Sequence, residues 1–421
     1  MCNCHKECPT FEKTLQYVSP AHGGWGVIRV AALIPESQML FVCPFACGRH
    51  GALGGIMNGI KDRIHYLYID ESDIVSGNYE HLIPDGVTEL FDFLEKRPKL
   101  LFIFVSCLDD LLGTDHESLN EELSQMYPDV HFVTAHMNPF KMDTKIPPAV
   151  GLQLSMYHLF SNNLPKLNQI NMIGNNAYVD EKCELFSLLK NSEYKIKHVG
   201  QCSSFDDFMS MQQSKLNLVL HPCAKMAAER MEELAKIPYQ LAFNTYDPDE
   251  IETYYNSLEQ NLNIRLADFT EYKQNAIEAI KQTQKIINNT PVAIDYQSVL
   301  KPFSLAKVLV EYGFNVKAIF CDDISEFEKS KCEWLLEKNP EIQIISAVHP
   351  DSVKFENKIP DCLCIGFSGG YLTKSVHVVD LMEDEYLYGF WGIEKLMEKI
   401  RFAFENKTDV NKIIAGAKLV V

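Results

Sequence analysis

The sequence predicts an α/β chain of parallel sheets arranged as several Rossmann-type units, and three observations support that class. Short β-rich apolar runs alternate with helical patterns through almost the whole sequence, as they do where parallel strands are joined by crossover helices. The strand-like runs are too many for one βαβ unit. The 421 residues also exceed what one hydrophobic core of ordinary size accommodates, so two or three packed domains are expected.

In chain order, strands are expected at 39–45, 100–106 and 131–136, then at 169–174 and 216–221, and finally at 292–296, 316–321, 342–349 and 362–367. Residues 180–190 read as the helix that follows the strand at 169–174. Leu305, Val308, Leu309 and Tyr312 recur at helical spacing after Asp295 and Tyr296, and Gly313 stops that helix before the next strand. Residues 250–289 are polar, helical and poor in turn residues, which marks a connecting segment. The division is a cysteine-bearing tail at 1–25, a first Rossmann-like domain at 26–160, a second at 161–249, a helical connector at 250–289 and a third domain at 290–421. No low-complexity tract or short-period repeat interrupts it.

The composition, 46% hydrophobic and 23% charged, is ordinary globular usage and argues against disorder. Thirty-nine basic against 57 acidic side chains give a formal charge of -18, which repels nucleic acid and anionic lipid. The longest apolar runs, such as 100–105, fall well short of the roughly 20 residues of a membrane helix, and no signal-like segment opens the chain. A soluble, cytoplasmic protein with no nucleic-acid or membrane partner is therefore expected. In a reducing cytosol its 13 cysteines are thiols, some of them small core residues and a cluster of them able to hold metal.

Ligands of doubly wound sheets collect at the carboxyl ends of strands. Cys43 and Cys47 lie in Phe41-Val-Cys-Pro-Phe-Ala-Cys-Gly48, at the end of an apolar run, and Cys107 closes the run ending in Val105 and Ser106. These placements put the thiols on loops. Any single cysteine is more often a small buried hydrophobe, but thiolates at strand ends suit an iron–sulfur cluster bridged between loops. The spacing is not a ferredoxin's local four-cysteine run. Cys183, Cys332, Cys362 and Cys364 read as packing, Asp109 and Asp110 as caps or turn formers, and Gly369 and Gly370 as a tight turn or a bare-amide approach to a cofactor.

Five stretches, taken together and in order, resemble the nitrogenase component 1 family. They are Gly24-Trp-Gly26 leading to Cys47-Gly48; Asp70-Glu-Ser-Asp-Ile-Val-Ser-Gly77; Val105-Ser-Cys107 with Gly113-Thr-Asp115; Leu216-Asn-Leu-Val-Leu220 before a helix ending at Ile237-Pro238; and His377-Val-Val-Asp380 before Tyr388-Gly-Phe-Trp-Gly392. The resemblance implies an α/β fold of three Rossmann-like domains with parallel sheets. It implies a [4Fe-4S] or [8Fe]-type iron–sulfur cluster, a homologous or identical component 1 subunit as partner, and electrons from an ATP-dependent iron–sulfur reductase.

The resemblance also assigns site residues. Cys47 and Cys107 stand at cluster-cysteine positions. His22 stands where the family usually has its first cluster cysteine, and Cys43 replaces a common glycine, so either completes the set. Where the family holds a larger metallocofactor, this chain offers His377 together with Cys223 or His221. Cys2, Cys4 and Cys8, with His5, carry the donor types to bind a metal or cap a cluster, unless the tail simply frays.

The implied function is a subunit of a nitrogenase-like oxidoreductase that reduces a substrate with low-potential electrons. The alternative is a non-catalytic scaffold for assembly of a complex metallocluster. A cluster-free protein binding nucleotide or sugar is disfavoured because no Gly-x-Gly-x-x-Gly loop follows the first strand.

Overall fold

The computed structural model describes residues 26–137, 145–160, 163–350, 352, 359 and 361–416. Among these, one compact unit comprises the residues up to Asn176 with Ile196–Leu241, and the other comprises Ala177–Lys195 with the residues from Ala242 onward. No helix among the described residues is long and apolar enough to cross a membrane.

The first unit contains two sheets. In the first of them β1 (Ser37–Cys43), β2 (Ile64–Tyr68), β3 (Leu100–Ser106) and β4 (His131–Met137) run parallel in the order β2-β1-β3-β4. Every residue of β3 is buried, as expected for a strand covered on both faces. The alternate residues Leu40, Val42, Leu101, Ile103 and Val105 share a core with Ile83 and Val87 of α2 (Tyr79–Phe93). The opposite face carries Phe41 stacked on Phe104, ring centroids 4.8 Å apart.

Against that aromatic face lies α1 (Phe45–Met57), whose Gly48, Gly51 and Gly55 form a stripe. A Cβ at Gly48 would stand 2.9 Å from Tyr68, and one at Gly55 would stand 2.6 Å from Ile64. Bare glycines therefore let α1 lie flat on β1 and β2, which fixes its first turn over the sheet edge. Further along come α3 (Cys107–Leu112), α4 (His116–Met126) and α5 (Pro148–His158).

The second sheet has the order β6-β5-β7-β8, formed by β5 (Gln169–Ile173), β6 (Lys195–His198), β7 (Leu216–Val219) and β8 (Tyr239–Leu241). In sequence, α6 (Glu184–Leu189) separates β5 from β6, and α7 (Lys225–Ala235) separates β7 from β8. The helix expected over 180–190 is only α6, because Cys183 is non-helical at φ -57°, ψ 133° and starts it late.

The second unit contains α6 and, from Ala242 onward, α8 (Pro248–Leu262) and α9 (Thr270–Ile287), which occupy the polar connecting stretch. There follow β9 (Pro291–Asp295), α10 (Pro302–Glu311), β10 (Asn315–Phe320), α11 (Lys329–Lys338), β11 (Gln343–Ile345), β12 (Leu363–Ile365), α12 (Phe367–Thr373), β13 (His377–Val379), α13 (Gly389–Glu405) and α14 (Val410–Gly416). The five strands are parallel in the order β11-β10-β9-β12-β13. Gly313, at φ +84°, turns the chain after α10 as its position predicted.

Candidate functional site

β1 and β3 are parallel neighbours, with Val42 opposite Val105, so Cys43 and Cys107 leave the sheet at the same carboxyl edge. Cys43 is the last residue of β1 and fully buried. Cys47 sits in the first turn of α1, its N–H donating to Pro44 O at 2.9 Å, and Cys107 is the first residue of α3. The loops expected here are thus helix starts, because each strand passes almost directly into a helix.

Burial and the neighbouring Cys47 push the Cys43 thiol up to about 12, and burial with Cys107 raises the Cys47 thiol. Cys47 therefore lies within electrostatic reach of both Cys43 and Cys107. Among the described residues no group of three or more His, Cys, Asp or Glu side chains could hold a single metal ion. A cluster is different chemistry: its irons are spread apart and its thiolate ligands spread with them. Ser106 Oγ, next to Cys107, is buried without a hydrogen-bond partner among the described residues, which leaves a polar atom at this edge for a bound group.

Asp109 is not a cap. It is buried, accepts from Tyr79 OH at 2.7 Å and pairs with His116 Nε2 at 2.5 Å, while Asp110 pairs with His136 Nδ1 at 3.1 Å. Ser106 caps α3 with its backbone alone. The Asp109 network ties α3 to α2 and α4, and so fixes Cys107. No sequence motif marked it. Cys2, Cys4, Cys8 and His22 lie outside the described residues.

At the carboxyl edge of the second sheet, Cys223 N–H donates to His221 Nδ1 at 3.1 Å, and Cys223 Sγ lies 3.4 Å from Gly174 O. A backbone N–H can only donate, so Nδ1 carries the lone pair and the neutral ring carries its proton on Nε2. His221 thus presents no Nε2 lone pair to a metal while this bond holds, and Cys223, in a 3-10 turn just ahead of α7, is the better donor of the two.

His377 has the opposite tautomer. Its Nδ1 lies 2.8 Å from Ala403 O, which can only accept, so Nε2 keeps the lone pair. The partner that fixes the ring is therefore a carbonyl of α13. His377 opens β13 level with Leu363 of β12, at the amino end of the sheet, whereas ligands of such sheets collect at the carboxyl end.

At that carboxyl end the second unit has filled its anion-binding positions from within. Ser368 and Gly369 N–H, at the start of α12, donate to Asp295 Oδ2 at 2.6 and 3.2 Å. Phe303 and Ser304 N–H, at the start of α10, donate to Glu328 at 2.7 and 3.0 Å. Phe390 and Trp391 N–H, at the start of α13, donate to Glu184 at 2.7 and 2.9 Å. A phosphate at any of the three helix starts would meet a buried carboxylate where it needs bare amides. Gly369 and Gly370 belong to α12, so the amides that start this helix are committed to Asp295.

Burial raises the buried carboxyls of Asp295 and Asp384 to about 6. Asp384 accepts from Leu300 N–H at 2.9 Å and Tyr246 OH at 2.8 Å. A carboxyl whose folded pKa is raised binds more protons folded than unfolded, so its stabilising contribution is complete below about 4 and is lost as pH rises through about 6. The stability advantage of the parent chain over Asp384→Asn should accordingly shrink by on the order of 2 kcal/mol between pH 4 and pH 7. Denaturant unfolding of both proteins at the two pH values checks this, and an advantage that grows with pH contradicts it.

A family model described as nitrogenase component 1 type oxidoreductase matches residues 24–405. No curated protein matches the chain. A solved chain described as "Nitrogenase Cp1 at pH 6.5" superposes with a TM-score of 0.73 at 16% identity, over 94% of this chain and 94% of that one. Another, described as "Nitrogenase Cp1 at pH 5", gives a TM-score of 0.60 at 13% identity, over 94% of this chain and 89% of that one. At these identities the likeness is one of fold.

Proposed function

Because the chain belongs to the nitrogenase component 1 type oxidoreductase family, we propose that it is a subunit of a nitrogenase-like iron–sulfur oxidoreductase. In this reading it receives low-potential electrons from an ATP-dependent iron–sulfur reductase and reduces a substrate. The observation that carries the reading is the meeting of Cys43, Cys47 and Cys107 at one edge of two neighbouring parallel strands. These residues fit an iron–sulfur cluster: thiols raised by burial ionise when a metal supplies the compensating positive charge.

Cys47 and Cys107 would hold the cluster, with Cys43 or His22 completing this chain's share. When bound, a [4Fe-4S] or [8Fe]-type cluster supplies one-electron transfer at low potential. The chain's own residues hold and shield it. The Asp109 network fixes α3, the glycine stripe fixes α1, and Phe45, Tyr68, Val75 and Leu111 expose apolar side chains near this edge. Such exposed apolar groups suit burial against a homologous or identical subunit that brings the remaining ligands. A larger metallocofactor, if one is bound, would use Cys223 before His221, on the tautomer argument.

The test is electron acceptance. Anaerobic protein is mixed with a reduced ATP-dependent iron–sulfur reductase and MgATP, and its visible absorption is followed. Bleaching that depends on ATP and leaves the iron in place is the expected result. Iron that instead passes to an apo-acceptor protein without electron uptake would overturn the catalytic reading in favour of an assembly scaffold.

A further inference from the structure

The second unit contains a cavity of about 560 Å³ beside β13 and α13, lined only by residues of that unit. Its volume falls within the range of small-molecule sites. We propose that it binds an organic cation, an ammonium group on an aromatic or aliphatic body. This inference does not depend on the iron–sulfur reading.

Two features define that class. The first is aromatic: Trp391, Tyr386 and Phe402 line the cavity, and Tyr178 meets Tyr386 at 5.4 Å between ring centroids. Phe402 is 66% exposed, Tyr386 46% and Tyr178 40%, and large apolar side chains grouped in the open around a concavity mark a binding surface. The second is charge. Lys395 pairs with Glu398, and Lys399 donates to Asp380 O at 2.7 Å and lies 3.4 Å from Glu385. Each lining ammonium thus already has a carboxylate, which leaves the side chains of Asp180 and Asp380 as surplus negative charge. Asp380 also helps to raise the half-buried Glu385 carboxyl, behind burial and against Lys399. An aromatic wall with surplus carboxylate attracts a cation through ring faces and charge together, and repels an anion of the same shape.

The probes are benzyltrimethylammonium and phenylacetate, which carry the same ring with opposite charge, titrated into the full-length protein and followed by saturation-transfer NMR. The cation is expected to bind at least about tenfold more tightly than the anion. Phe402→Ala and Asp380→Asn change exposed side chains, and each should weaken cation binding by roughly three- to tenfold. Cys47→Ala should leave it unchanged, which separates this site from the thiol edge. Phenylacetate binding as tightly as the cation, no cation binding up to about 10 mM, or undiminished binding by both variants would each overturn the proposal.

Discussion

Cys107→Ala is expected to remove the cluster and with it all reductase activity, leaving less than about one part in a hundred of either. Cys107 is the first residue of α3, and α3 is held by Asp109 through Tyr79 and His116, so the thiol's position is fixed from three helices. Alanine removes the ligand and leaves that frame intact, so the folded chain should persist without iron. Cys47→Ala should behave alike. Cys332→Ala, which removes a fully buried thiol of α11, should keep its full complement of iron. Iron analysis and visible absorption of the three anaerobic proteins check the contrast, and unchanged iron in both Cys47 and Cys107 variants would refute the ligand assignment.

The largest expected effect on stability is at Gly389. This residue has φ +65°, and a Cβ there would stand 2.2 Å from Glu184 Oε1 and 2.5 Å from Tyr255 OH. Glu184 is buried and accepts from Phe390 N–H, Trp391 N–H and Tyr255 OH at 2.7, 2.9 and 2.5 Å. Alanine therefore has both a strained backbone and an obligation to displace the carboxylate. Two amides and a hydroxyl would then be buried without partners. Gly389→Ala should cost about 3–5 kcal/mol. Glu184→Gln, which keeps one acceptor oxygen, should cost less. Denaturant midpoints of the two variants provide the check, and a Gly389→Ala midpoint equal to the parent's would contradict the packing described.

Both effects turn on features of unequal visibility in the sequence. The central strands β1, β3 and β9 were legible because they are buried on both faces and appear as unbroken apolar runs. The unmarked strands β2, β6, β8 and β13 are edge strands, short and partly exposed, so their side chains carry little hydrophobic signal. Cys43, Cys47 and Cys107 stood out because strand ends can be read from the same runs. The helix starts that carry Cys47 and Cys107 read as loops in the sequence: Pro44 offers α1 no side-chain cap, and Ser106, though of the usual capping type, makes no side-chain bond to α3. Glu184, Asp295 and Glu328 were invisible for a different reason. Each reaches a helix start distant in sequence, 206 residues away for Glu184 and Phe390, and no local pattern encodes such a contact.

The central claim, a cluster held at the edge of β1 and β3, is most directly tested by the iron and acid-labile sulfide content of anaerobically purified protein, measured together with its oligomeric state. Iron and sulfide are expected in near-equal amounts, in a brown dimer or larger assembly whose colour is lost when Cys107 is replaced. A colourless protein with no iron or sulfide, or a monomer carrying a complete cluster, would contradict it.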